Sequence, residues 1–236
     1  GDKFNRMKIA AAGVFLWSIM TAFTGMAKNF AHLIVARALI GVGESALTPN
    51  SISMLSDVYN QNKRGTASAI YYLGIPLGVG LAMLIASIFG PMFGWRAVFI
   101  SLGLIGVVLA IITYFLIEPI RGQLDNVSQN DEKSMSIREI ISLTKSTLYN
   151  SKSLTLIIVG SIFLHIPLGA GNFEVLWAVN ERGFTASEYN SLFGIFFIIG
   201  GSIGAVLGGV LSDKLNHLFK NGVMSFLTIS YLVLIP

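Results

Sequence analysis

The sequence predicts an all-α integral membrane protein, a bundle of transmembrane helices. Three observations carry that reading. Hydrophobic residues make up 53% of the 236 and charged residues only 12%, against about 25% charged in soluble domains. Apolar runs recur at the ~20 residues that a helix needs to cross a bilayer: 9–27, 33–56, 66–89, 97–117, about 154–178 and 190–211, with a seventh starting at Val223. They are too long for barrel strands, and only helices or closed barrels satisfy the backbone in lipid. The cations also segregate. With residues 1–8 on the cytoplasmic side and sides alternating, the outside loops hold only Lys28, Arg96 and Arg182, Arg37 lies inside a span, and every other Lys and Arg falls inside. The positive-inside rule fixes this orientation. It also absorbs the net charge of +4, so no nucleic acid is required as a partner.

In chain order, "GDKFNRMK" (1–8) forms an inside loop ahead of the first span. The second span holds "RALIGVGE" (37–44), which places Arg37 and Glu44 in an otherwise apolar helix. Seven residues at about 100° each bring the two within ~20° of one face and ~10 Å apart along the axis. A charge at the membrane centre costs roughly 2.5–3.5 kcal/mol, so two on one face mark a polar cavity. Burial raises a carboxylate pKa and a nearby cation lowers it, which makes Glu44 a candidate proton-coupling site with Arg37 as its partner. The bland readings are a structural ion pair, or Arg37 snorkelling to the outer interface. Gly41 and Gly43 let a neighbouring helix approach.

The third span carries "GIPLGVG" (74–80). Gly74, Pro76 and Gly78 mark a helix kink, because proline frees the carbonyl four residues earlier; close packing without motion is the alternative. Tyr71 and Tyr72, one turn earlier, are substrate-cavity candidates. The fourth span closes a first half bundle, residues 1–117, made of the inside loop and four helices. Residues 118–152 form a polar cytoplasmic linker. Within it "SIREIISLTKSTL" (136–148) reads as an amphipathic helix lying on the inner membrane face, or else as disordered linker. Residues 153–236 make an incomplete second half bundle of two full helices and part of a third. Its first span is interrupted by Pro167, Gly169 and Gly171, and non-helical backbone is tolerated in a span where it lines a cavity. Asn172 and Glu174 there are further cavity candidates. His165 reads as a packing residue.

The sixth span leads to "LSDKLNHLFKNG" (211–222). Asp-Lys-x-Asn occurs at Asp2 and again at Asp213, in matching inside positions. This suggests an internal duplication, a common transporter plan. The inside-gate candidates are Asp2, Lys3, Arg6, Asp213 and Lys214, with ordinary solvated loop charge as the alternative. The chain contains no cysteine, so disulfides and thiolate metal sites are excluded, and no metal or cofactor is expected. It shows no Walker loop, no Gly-x-Ser-x-Gly and no His-Glu-x-x-His, which argues against an enzyme. It does not begin with Met and ends within an apolar run. It therefore reads as part of a longer protein whose remaining helices are its partners.

Several motifs resemble those of the major facilitator superfamily. "GDKFNRMK" looks like the later part of its cytoplasmic loop signature, Gly-x-x-x-Asp-Arg/Lys-x-Gly-Arg-Arg, through Asp2, Lys3, Arg6 and Lys8, with Asn5 in place of glycine. "GGVLSDKLNHLFK" is similar to the degenerate second copy, through Gly209, Asp213 and Lys214. "RALIGVGE" resembles the fourth-helix signature through Arg37, Gly41 and Gly43, and "YYLGIPLGVGLA" the fifth-helix glycine–proline segment. "GWRAVF" and "EPIRG" bracket the sixth helix. Glu44 after the glycines, with "GFTASEYNSLFG", most resembles the spinster-like branch. The resemblance implies a major facilitator-type bundle of twelve helices, here the third to the ninth. It implies a secondary transporter in the plasma or inner membrane, probing a small-molecule or lipid-like substrate, with protons as coupling ion and membrane lipids as surroundings. The solute class is an amphipathic or anionic organic compound such as a lysolipid. A carrier of sugar acids or organic anions is the alternative, and a polytopic receptor or sensor is the rival class. In that branch the fourth-helix Arg and Glu work with an acidic residue on the first helix, which this chain does not contain.

Overall fold

The computed structural model describes residues 4–60, 63–122, 136–218, 228–230 and 232, without the side chains of 137, 140, 164–170, 172, 212, 213 and 216–218. Asp2, Lys3 and most of the run expected from Val223 lie outside the described residues. Every described element is helical. The chain divides into two compact units, residues 1–127 with 190–236, and residues 128–189.

In the first unit, α1 (Arg6–Met26) starts where the Asn5 side chain accepts the Lys8 N–H at 2.9 Å. α2 (Phe30–Ser45) starts in the same way, with Asn29 accepting the His32 N–H at 2.9 Å. Each cap satisfies a backbone donor that the helix itself leaves free. The expected span 33–56 is interrupted at Ala46 before α3 (Leu47–Val58). Pro49 supplies the reason: it has no N–H to offer the Ser45 carbonyl four residues back. α4 (Arg64–Tyr72) passes through a turn at Leu73 into α5 (Gly74–Tyr114). The two spans expected at 66–89 and 97–117 are not separated by a loop of the length "GPMFGW" suggests. They run on as helix up to a single break at Gly94, whose φ of 78° and ψ of 155° suit only glycine.

Large side chains do not make the core. The buried apolar residues are mostly alanines, among them Ala10, Ala11, Ala36, Ala67 and Ala110, while Phe15, Val42, Leu104 and Ile112 are exposed. This suits lipid, where burial gives no hydrophobic gain and small residues set how closely backbones approach. α1 meets α2 where a Cβ on Gly13 or Gly43 would strike the other's carbonyl. α1 runs antiparallel to the part of α5 beyond Gly94: Gly25 lies against Arg96 and Ile100, Gly103 against Ala22, and Gly106 against Ser18. Ser18 and Thr24 bury their hydroxyls by donating to the carbonyls of Val14 and Met20.

α9 (Ala186–Leu218) joins this unit from residue 190. It runs antiparallel to α4 and the first part of α5 along a seam of small residues. A Cβ on Gly209 would meet Ala69, one on Gly201 would meet Pro76, and one on Gly80 would meet Gly194 and Ile198. Ser191 donates to the Ser87 hydroxyl at 2.9 Å. The sixth span therefore packs on the third, across the half-bundle boundary placed at 118–152.

In the second unit, α6 (Ile137–Asn150) opens with a capping box. Ser136 accepts the Glu139 N–H, and the Glu139 carboxylate accepts the Ser136 N–H at 2.6 Å. α7 (Lys152–Ala170) gives way to a 3₁₀ turn at Gly171–Phe173 and then to α8 (Glu174–Arg182), so the expected span 154–178 is interrupted at Gly171. α8 ends at Gly183, whose φ of 72° caps it in the left-handed region.

Among the described residues, four helical stretches are long and apolar enough to cross a membrane: Arg6–Met26, Phe30–Val58, Arg64–Tyr114 and Ala186–Leu211. The third contains both spans around Gly94.

Candidate functional site

The most connected polar site lies where the start of α1, the end of α3 and the segment after α5 meet. Arg6, expected on a gate loop, is instead the first residue of α1 and only 4% exposed. Its guanidinium pairs with Asp57 at 2.6 Å and Glu118 at 2.8 Å, and donates to the Ser53 hydroxyl at 2.8 Å. Arg121 approaches Glu118 at 3.3 Å and donates to the Phe4 carbonyl at 2.6 Å. The second Asp57 oxygen accepts the Gly122 N–H at 3.0 Å. The start of α1, the end of α3 and the segment after α5 are thereby tied together. Burial pushes the Glu118 carboxyl up, but hydrogen bonds from Arg6 and the charge of Arg121 outweigh it, and the net result lies below the ordinary carboxylate range. Arg64 ties the α3–α4 turn by donating to the carbonyls of Ser56 and Tyr59.

Arg37 and Glu44 both lie on α2, seven residues apart, and both are exposed. No ion pair joins them. The Arg37 guanidinium instead sits over the Phe99 ring, 5.3 Å from its centre, an attraction between cation and ring face. Glu44 is in the last turn of α2, just before the break at Ala46. Of the two adjacent glycines only Gly43 is in close contact; nothing lies within 4 Å of a Cβ built on Gly41. Tyr71 and Tyr72 meet edge to face at 5.2 Å, Tyr71 half-buried and Tyr72 exposed. Gly74 and Gly78 face open space, whereas Pro76 is buried against Gly201. The helix interruption next to them falls at Leu73.

In the second unit, Glu174 is exposed and accepts the Tyr189 hydroxyl at 3.2 Å. The Asn172 and Asp213 side chains lie outside the described residues. The helix of α9 continues to Leu218, so Asp213 and Lys214 are not on a loop, and Lys214 is exposed. No glycine or proline interrupts the chain between Val210 and Gly222 to end the helix earlier.

Sequence reasoning missed Ser53, Asp57 and Glu118 as members of the inner cluster. A signal for Asp57 was present: "LSDVYN" (55–60) repeats the Leu-Ser-Asp-x-x-Asn of "LSDKLN" (211–216). Glu118 and Arg121 stand in "EPIRG", which had served only to mark the end of a span.

Comparison with known proteins gives a consistent picture. The family model described as Major Facilitator Superfamily matches residues 1–236. The chain is 31% identical over 224 residues to the sphingosine-1-phosphate transporter SPNS2 of Danio rerio, covering 89% of this chain and 44% of that protein. It is 32% identical over 115 residues to a probable L-galactonate transporter of Escherichia coli, covering 49% of this chain and 25% of that one. Among solved structures it is similar to a bacterial homolog of the human lysosomal transporter spinster in an inward-facing, unoccupied conformation. That match has a TM-score of 0.68 and 26% identity, and covers 92% of this chain and 50% of that one. The chain thus spans about half the length, or less, of the relatives it matches.

Proposed function

Because this chain belongs to the Major Facilitator Superfamily and is spinster-like, a family of multi-pass membrane transporters rather than enzymes, we propose that it is part of a secondary transporter for an amphipathic organic anion. A lysolipid is the first solute to test. The whole protein works in the plasma or inner membrane by alternating access, with substrate held between two half bundles, 1–117 and 153–236, and the linker 118–152 between them. Arg37 carries this reading. It is a cation within a span, exposed, backed by the Phe99 ring and not neutralised by Glu44. An unneutralised guanidinium there suits the phosphate or carboxylate of a substrate, because its fork makes two bonds to either group. Glu44, one face and two turns away, takes and releases the coupling proton. Tyr71, Tyr72, Asn172 and Glu174 contribute to the cavity, and Asp2, Lys3, Arg6, Asp213 and Lys214 to the inner gate.

From residue 190, α9 belongs to the same compact unit as α1–α5, so the seam between α4–α5 and α9 crosses the proposed half-bundle boundary and counts against two separately packed halves. Glycine, alanine, serine and proline bring the backbones close along the seam, with Ile198, Leu84 and Met83 packed at the Gly80–Gly194 crossing. The ties among Arg6, Asp57, Glu118 and Arg121 hold the inner end of the first half rigid as it moves.

The test is substrate binding to the full-length protein in detergent. Lysophosphatidic acid should bind the wild type and lose at least tenfold in affinity with Arg37→Ala. Unchanged affinity in that variant would remove Arg37 from the substrate site. The similarity to a probable L-galactonate transporter favours a second reading, a small sugar-acid carrier. Stronger binding of galactonate than of any lysolipid would select it.

A further inference from the structure

We propose that the corner between α6 and α7 binds the phosphate headgroup of an anionic phospholipid of the cytoplasmic leaflet. Two cavities open there. One, of about 610 Å³, is lined by Ser142, Lys145, Ser146, Tyr149 and Thr155 among others. The other, of about 440 Å³, adds Lys152 and Leu156. They share Leu148, Tyr149 and Thr155, so the two shallow hollows adjoin.

Their chemistry is that of an anion site with an apolar floor. Neither Lys145 nor Lys152 has an ion-pair partner among the described residues. Arg138 precedes Lys145 by seven residues, which places both within ~20° of one face of α6. The one acidic side chain of α6, Glu139, is turned back to the Ser136 N–H at the far end of the helix. The hydroxyls of Ser146 and Thr155 donate to the carbonyls of Leu143 and Leu148. The donors left at the recess are the ammonium groups of Lys145 in the first hollow and Lys152 in the second, with the Asn150 amide and the hydroxyls of Ser142 and of Tyr149, which is 90% exposed.

Depth selects a lipid rather than a soluble phosphate. α7 leaves the corner at Lys152 and is apolar from Leu154 to Val159 apart from Thr155. In the proposed topology, with α7 entering the bilayer from the cytoplasmic side at Leu154, the recess lies at the level of the inner-leaflet headgroups. Ile141, Leu143 and Leu156 around it are more than half exposed, an arrangement suited to acyl chains and not to water. Cations in this position draw anionic lipids, and each contributes roughly a fivefold enrichment.

Residues 1–236 contain no cysteine; with any cysteine elsewhere in the full-length protein changed to serine, a fluorophore on Thr147→Cys reports on α6 in vesicles. Brominated phosphatidylglycerol should half-quench it at a mole fraction at least fivefold lower than brominated phosphatidylcholine does. Lys145→Ala with Lys152→Ala should remove that preference. The paired Lys→Arg changes should retain it, and Lys63→Ala should leave it intact. Equal quenching by the two lipids, or a preference that survives the double alanine change, would overturn the proposal. So would displacement of the lipid by millimolar inorganic phosphate, which would mark a site for a soluble anion.

Discussion

Replacing Arg6 by methionine should be among the most destabilising single changes in the first unit. The guanidinium is 4% exposed and holds two carboxylates, Asp57 at 2.6 Å and Glu118 at 2.8 Å. Methionine fills much the same volume but leaves both carboxylates without the Arg6 charge, while Arg121 still approaches Glu118 at 3.3 Å. Removing one partner of a buried ion pair costs about 3–5 kcal/mol. For a unit of this size that corresponds to a fall in Tm of roughly 6–20 °C. The assay is thermal unfolding of the full-length protein in detergent, followed by intrinsic fluorescence. Arg6→Met combined with Asp57→Leu and Glu118→Leu should recover most of the loss, because the uncompensated charges are then gone. The pH dependence has a definite sign. The folded-state pKa of Glu118 is lowered, so its contribution is complete above the ordinary carboxylate pKa of ~4.3. It disappears as pH falls through the folded value. Wild-type Tm should therefore be level through neutrality and fall only below about pH 4 on account of this group. A shift under 2 °C for Arg6→Met, or no recovery in the triple variant, would refute the reasoning.

Arg37→Lys should lower substrate affinity by tenfold or more in a binding titration, because a lysine cannot make two parallel bonds to one phosphate or carboxylate. Gly80→Leu should arrest transport while the protein still reaches the membrane, since the new side chain strikes Gly194 and Ile198 on α9; initial uptake rates measured beside surface expression separate the two effects. Ser136→Ala removes half of the capping box and costs about 1 kcal/mol, so amides in the first turns of α6 should exchange with deuterium roughly fivefold faster.

Spans were legible because lipid demands long apolar runs, and no tertiary contact is needed to recognise them. Their interruptions were harder to see. Pro49 and Gly94 each act at one residue, and a hydropathy run averages across them. The shared face of Arg37 and Glu44 followed from helical spacing alone. The ring of Phe99 under Arg37 did not, because it comes from a span more than sixty residues later. The same limit hid the burial of Arg6. Its partner Glu118 is 112 residues away, and nothing local separates a loop arginine from one enclosed by two distant carboxylates. Gly41 and Gly43 look equivalent in sequence, yet only Gly43 meets a neighbour. Which glycine faces a helix depends on how α1 and α2 cross.

The substrate anchoring and proton coupling proposed for the two charges of α2 can be separated in one measurement. Full-length wild type and Glu44→Gln are reconstituted in proteoliposomes preloaded with substrate. Uptake of labelled substrate is then followed under an imposed pH gradient and, separately, as exchange at equal pH. Glutamine keeps the size and hydrogen bonding of the side chain but cannot exchange a proton, so gradient-driven accumulation should vanish while exchange continues. Gradient-driven accumulation by Glu44→Gln at the wild-type rate, with unchanged pH dependence, would contradict the assignment and leave Glu44 a structural residue.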